Sequence, residues 1–81
     1  MRSGTLDGPK LLATREDQGL TQAMLAAKVA KHLRKPVDPS TISHLECGRR
    51  QPAPALYAAI CRALGVDRDA LRQVMPDAPA V

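Results

Sequence analysis

The chain has 81 residues, 44% of them hydrophobic and 25% charged, and a formal net charge of +4. This length suits one small domain and leaves no room for a dinucleotide-binding fold, a barrel or a second domain. One Tyr, with no Phe and no Trp, argues against a β-sandwich and against the stacking platforms of single-strand binders. Leu and Ala dominate the apolar set, which favours helices.

Charge is unevenly placed. Between Lys28 and Arg50 stand Lys28, Lys31, Arg34, Lys35, Arg49 and Arg50, opposed only by Asp38 and Glu46. That window carries a net +4, so the rest of the chain is neutral. Such a distribution fits a polyanion-binding surface, and it also fits a solvated basic helix face. The two cysteines, Cys47 and Cys61, form no CxxC pair, which points to a reduced, cytoplasmic setting. The N-terminus has no apolar h-region, and no apolar run approaches ~18 residues. Secretion and membrane spanning are therefore not expected.

Five helices are predicted. Residues 1–8 read as a flexible arm. The first helix runs from about Pro9 to Gln18, with Gly19 as its left-handed terminator. The second opens on Thr21 as N-cap and carries Leu25, Ala26, Val29 and Leu33 as an apolar stripe. Lys35-Pro36 ends it, because the residue before proline disfavours helical backbone. The third starts at Asp38 and Pro39, turns Ile42 and Leu45 inward, and stops at Gly48. Arg49 to Pro52 is an exposed basic loop. The fourth spans about Pro54 to Leu64, with Leu56, Tyr57, Ile60, Cys61 and Leu64 on one face. A fifth starts at Asp67 and carries Ala70, Leu71 and Val74. The folded domain is expected over 9–75, and 76–81 reads as a frayed tail.

The series Gly19-Leu20-Thr21-Gln22, then Thr41-Ile42-Ser43-His44-Leu45-Glu46-Cys47-Gly48-Arg49-Arg50-Gln51-Pro52, then Ala63-Leu64-Gly65-Val66 resembles the Cro/C1-type (XRE-like) helix-turn-helix family. Arg15-Glu16 and Leu25-Ala26 belong to the same pattern. The resemblance implies an all-α, lambda-repressor-like domain whose third helix lies in the major groove while the second crosses the DNA backbone. It implies that Arg15 and Glu46 form an internal ion pair, and that Gln22 touches a phosphate at the start of the second helix. The polar face of the third helix would read bases through Ser40 and His44, with Pro39 limited to apolar contact with a thymine methyl. Thr41, Ser43, Arg49 and Arg50 would hold phosphates, joined by Lys31 and Lys35.

Two departures from the family pattern stand out. The link between Ala26 and Thr41 is longer than the compact family turn by about six residues, across Lys31 to Pro36. Pro39 occupies a position where relatives carry a base-reading polar residue.

Catalytic readings find little support. His44 and Cys47 stand three residues apart but lack a third orienting group. The Cys and His positions lack metal-site spacing, so no metal and no cofactor are expected. Cys61 reads as a small core residue. The expectation is a stand-alone, non-enzymatic transcriptional regulator, a repressor binding a palindromic double-stranded operator as a homodimer. Val66, Leu71, Val74 and Met75 are the candidate dimer surface. The alternatives are an antitoxin that represses its own operon and pairs with a toxin, a protein-interaction module without DNA binding, and a membrane-surface binder. The second helix lacks Trp and Phe and needs its apolar stripe for the core, which disfavours the membrane.

Overall fold

The computed structural model describes residues 6–72, in which four α-helices follow one another: α1 (Gly8–Asp17), α2 (Gln22–Leu33), α3 (Pro39–Glu46) and α4 (Pro54–Leu64). Three of them begin on side-chain caps that satisfy otherwise free backbone N–H groups. Asp7 accepts from the Lys10 N–H at 3.2 Å, Thr21 from Met24 at 3.0 Å, and Asp38 from Ser40 at 3.5 Å. α4 has no side-chain cap and starts on Pro54, whose missing N–H suits the first helical turn.

The helices enclose one apolar core. Leu11, Leu25, Val29, Ile42, Leu45, Ile60 and Leu71 are almost completely shielded from solvent. α2 is the central element, packed on α4 and on α3, while α1 packs on α3. Ala59, Cys61, Ala63 and Leu64 complete the buried face of α4, with Leu56 and Tyr57 half-buried beside them.

Two features differ from the sequence expectation. The described residues hold four α-helices and not five. Where a fifth was expected at Asp67 there is one 3-10 turn, Arg68–Leu71. It drops Leu71 into the core, and the backbone is extended at Arg72. Residues 6–8, expected as the end of a flexible arm, are ordered parts of the fold. Leu6 is buried, Asp7 caps α1, and Gly8 is its first residue. The two ends of the described segment meet: Leu6 pairs antiparallel with Arg72, and the Asp7 N–H donates to the Leu71 carbonyl at 2.8 Å. The Gln51 side chain completes the clasp, accepting from the Leu6 N–H at 2.9 Å and donating to its carbonyl at 3.4 Å. Lys10 Nζ donates to the Arg72 carbonyl at 3.0 Å. Satisfying these backbone groups outweighs continuing a weakly apolar helix. Residues 76–81, expected to fray, lie outside the described residues, as do residues 1–5.

Gly8 marks the closest approach of α1 to α3. A Cβ there would run into the carbonyl of Glu46 and come within 2.9 Å of the Leu45 carbonyl oxygen. In an open helix Gly→Ala stabilises by about 1 kcal/mol. Here the sign should reverse. Gly8→Ala is expected to lower stability by ~1–3 kcal/mol through overpacking, a fall in Tm of several degrees. Thermal unfolding followed by circular dichroism checks this, with exposed Pro9→Ala as the neighbouring control.

Candidate nucleic-acid interface

α3 has two faces set by helical spacing. Ile42 and Leu45 point into the core. Opposite them Ser40, His44 and Cys47 are exposed in one stripe, with half-buried Ser43 between them. Pro39 is exposed at the first position, and half-buried Thr41 flanks the stripe. The outward surface is thus a row of short polar side chains, an imidazole and a thiol. The helix has eight residues, about 12 Å in length.

Two apolar side chains alone hold this short helix to the core, and a buried ionic cluster adds a third anchor. Arg15 on α1 donates from Nε to Glu46 Oε2 at 2.5 Å and from Nη2 to Oε1 at 3.3 Å. Its Nη1 donates to the Leu20 carbonyl at 2.7 Å. The side chains of Arg15 and Glu46 are only 10% and 5% exposed. The Glu46 hydrogen bonds hold the guanidinium protonated even more firmly than usual, against burial, which acts the other way. Gln22, at the start of α2, donates from Nε2 to Glu46 Oε1 at 3.0 Å. One carboxylate therefore joins α1, α2 and α3. Gln22, expected at a phosphate, thus commits one amide hydrogen inside the protein and keeps the other free for an outside ligand.

Cations stand before and after α3. α2 ends at Leu33, Arg34 caps it, and an open segment leads to Asp38. Lys28, Lys31, Arg34 and Lys35 are all exposed. Beyond α3, the Arg49 N–H donates to the His44 carbonyl at 3.0 Å, which ties the start of the basic loop to the helix end. Arg49 and Arg50 are exposed. Among the described residues none of these six joins an ion pair, whereas Arg15 and Arg72 both do. Arg62 and Arg68 are likewise exposed and unpaired among the described residues, but only the window gathers its free cations on both sides of α3.

The expected dimer surface is partly corrected. Leu71 is fully buried in the domain's own core and is not available to a second copy. Val66 is half-buried against that core. Val74 and Met75 lie outside the described residues. Among the described residues no three His, Cys, Asp or Glu side chains gather as metal ligands. Cys47 is exposed and Cys61 buried, and burial pushes the Cys61 thiol pKa up. Burial likewise raises the pKa of Tyr57, whose hydroxyl donates to the Arg68 carbonyl at 2.5 Å. Among the described residues no helix is long and apolar enough to cross a membrane.

The Gln22–Glu46 contact, the Gln51 clasp and the Gly8 approach were not anticipated from sequence. Each joins residues distant along the chain, so neither periodicity nor local capping chemistry carries a signal for it. A buried pair that loses one partner leaves an uncompensated charge, at a cost of about 3–5 kcal/mol. Glu46→Ala should therefore destabilise the domain by that order. The double variant Arg15→Met with Glu46→Leu should recover most of the loss. Urea denaturation of the two variants measures the difference.

Comparison with known proteins places these features in a family. A family model described as a helix-turn-helix domain matches residues 8–74. Among solved structures, the chain is similar to the clp gene regulator ClgR from Corynebacterium glutamicum, with 34% identity and a TM-score of 0.61. That match covers 78% of this chain and 62% of the other, so this chain spans under two thirds of that relative's length. A second crystal structure of the ClgR regulator from C. glutamicum gives 33% identity and a TM-score of 0.57, covering 78% of this chain and 75% of the other. No curated protein matches significantly. A match over most of the chain, with a short polar helix held against α2 by a buried core, shows that this protein belongs to the helix-turn-helix domain family.

Proposed function

We propose that this chain is a sequence-specific, double-stranded-DNA-binding transcriptional regulator that inserts α3 into the major groove and acts as a repressor. The observation that carries this reading is the outward polar face of α3 flanked at both ends by exposed, unpaired cations. The major groove is about 12 Å wide and admits a single helix, and its base edges are read by short polar donors and acceptors. Ser40 and His44 occupy the positions for that contact, and Pro39 can meet a thymine methyl. Thr41, Ser43, the free hydrogen of Gln22, Arg49, Arg50, Lys31 and Lys35 serve the phosphates, which fix register and supply affinity. Repression by occupying a promoter needs no more than a bound domain. The similarity to a clp gene regulator supports a regulatory role.

A single such domain contacts too few base pairs to select a genomic site. We therefore also propose that two copies pair on a palindrome, with their α3 helices about 34 Å apart. Leu71 being internal, the contact must come from other surface. Affinity for a palindrome should exceed that for its isolated half-site. Equal affinity and 1:1 complexes on both would refute the pairing.

Selection of bound sequences from a random duplex pool is the direct test of sequence reading. With a selected duplex in hand, Arg49→Ala or Arg50→Ala should weaken binding to all sequences alike and reduce the log–log salt slope by about 0.9 each. His44→Ala should instead relax preference at one or two base pairs, by about 1–3 kcal/mol. An equal loss on selected and random duplexes would remove His44 from base reading.

A further inference from the structure

Three of the four α-helices are followed by a glycine in left-handed backbone: Gly19, Gly48 and Gly65, with φ of +71°, +77° and +70°. α2 is the exception. It ends on Arg34, at φ 62° and ψ 34°, the one non-glycine with positive φ among the described residues. A Cβ is disfavoured in this conformation, and helices that end this way usually carry Gly or Asn. Nothing in the local fold asks for arginine. Its N–H donates to the Ala30 carbonyl at 2.7 Å, a bond any residue but proline can make. Its side chain is exposed and, among the described residues, has no hydrogen-bond or ion-pair partner.

What arginine offers here beyond glycine is a charged fork of donors suited to phosphate. The neighbours sharpen the point. Lys28, Lys31, His32 and Lys35 are also exposed, and no carboxylate interrupts residues 28–37. The C-terminal dipole of α2 favours cations in this turn but asks for no particular one, and the mutual repulsion of Lys28, Lys31, Arg34 and Lys35 is relieved further when an outside anion answers them. Arg34 lies four residues before Asp38, the cap of α3, hence within about 14 Å of that helix start.

We propose that Arg34 is kept at this unfavourable position because its guanidinium grips a DNA phosphate beside the N-terminus of α3. The long link between α2 and α3 is then a DNA-binding element, with stability given up for affinity. This rests on the reading of α3 as the groove-inserted helix.

The test uses the full chain, a selected duplex, and the variants Arg34→Gly, Arg34→Asn and Arg34→Lys. Arg34→Gly should raise Tm by roughly 4–8 °C, since the left-handed strain is relieved. It should also weaken binding on the order of eightfold at 0.1 M salt and lower the salt slope by about 0.9. Arg34→Asn tolerates the same backbone and should show the same loss of binding, which excludes a loosened chain as the cause. Arg34→Lys should keep the wild-type slope. Unchanged affinity and slope in the Gly and Asn variants would overturn the proposal, as would a lower Tm in Arg34→Gly. If the unaltered chain binds duplex with no salt dependence, the reading of α3 falls and takes this inference with it. Salt-dependent binding that ignores Arg34 overturns this inference alone.

Discussion

A single carboxylate decides where α3 sits. Glu46 accepts from Arg15 through both oxygens and from Gln22 through one, so α1 and the start of α2 are both tied to the last residue of α3 through that charge. Buried ions tolerate little misplacement, because each must find its partner to offset the loss of water. Two leucine-class side chains, Ile42 and Leu45, could bury an eight-residue helix without setting its rotation. The ionic cluster is directional and sets it. Gly8 adds the complementary steric condition, since only a residue without Cβ lets α1 come this close to the Glu46 backbone. The outward stripe of Ser40, His44 and Cys47 is the consequence of both.

The fold also sorts its positive charges. Arg15 is sealed inside with its carboxylate, Arg72 pairs with Asp69 at 3.5 Å, and Lys10 holds a backbone carbonyl. These bonds serve the structure. The cations on either side of α3 are left exposed, as are Arg62 and Arg68 on and after α4, and in water such groups contribute little to stability. Their value lies in the field they create near the helix, which draws a polyanion and orients it. The proposed division of labour follows: polar side chains on α3 discriminate, and the flanking cations supply affinity that falls with salt.

Much of this was legible in the sequence because helix ends are local chemistry. Thr21 and Asp38 announce their helices, and a cap needs only its own backbone two or three residues on. The apolar stripe of α2 follows from spacing alone. The departures arise where distant segments compete. Ala70, Leu71 and Val74 have helical spacing, yet Leu71 is taken by the core and Arg72 by Leu6. The same competition removes Leu71 from the dimer surface. Apolar character cannot say whether a residue faces its own core or a partner. Gln22 shows the limit from the polar side. Its position suits a phosphate, but nothing near it in sequence reveals that Glu46 comes within 3.0 Å.

Amide chemical shifts followed during titration with a selected duplex test the central claim most directly. The account predicts that the large changes fall on residues 39–47, on Gln22, on the 31–36 link and on Arg49 and Arg50. The Arg15 side-chain Nε–H signal should persist, with the Glu46 pair intact in the complex. Changes concentrated on α4, with α3 silent, would contradict it.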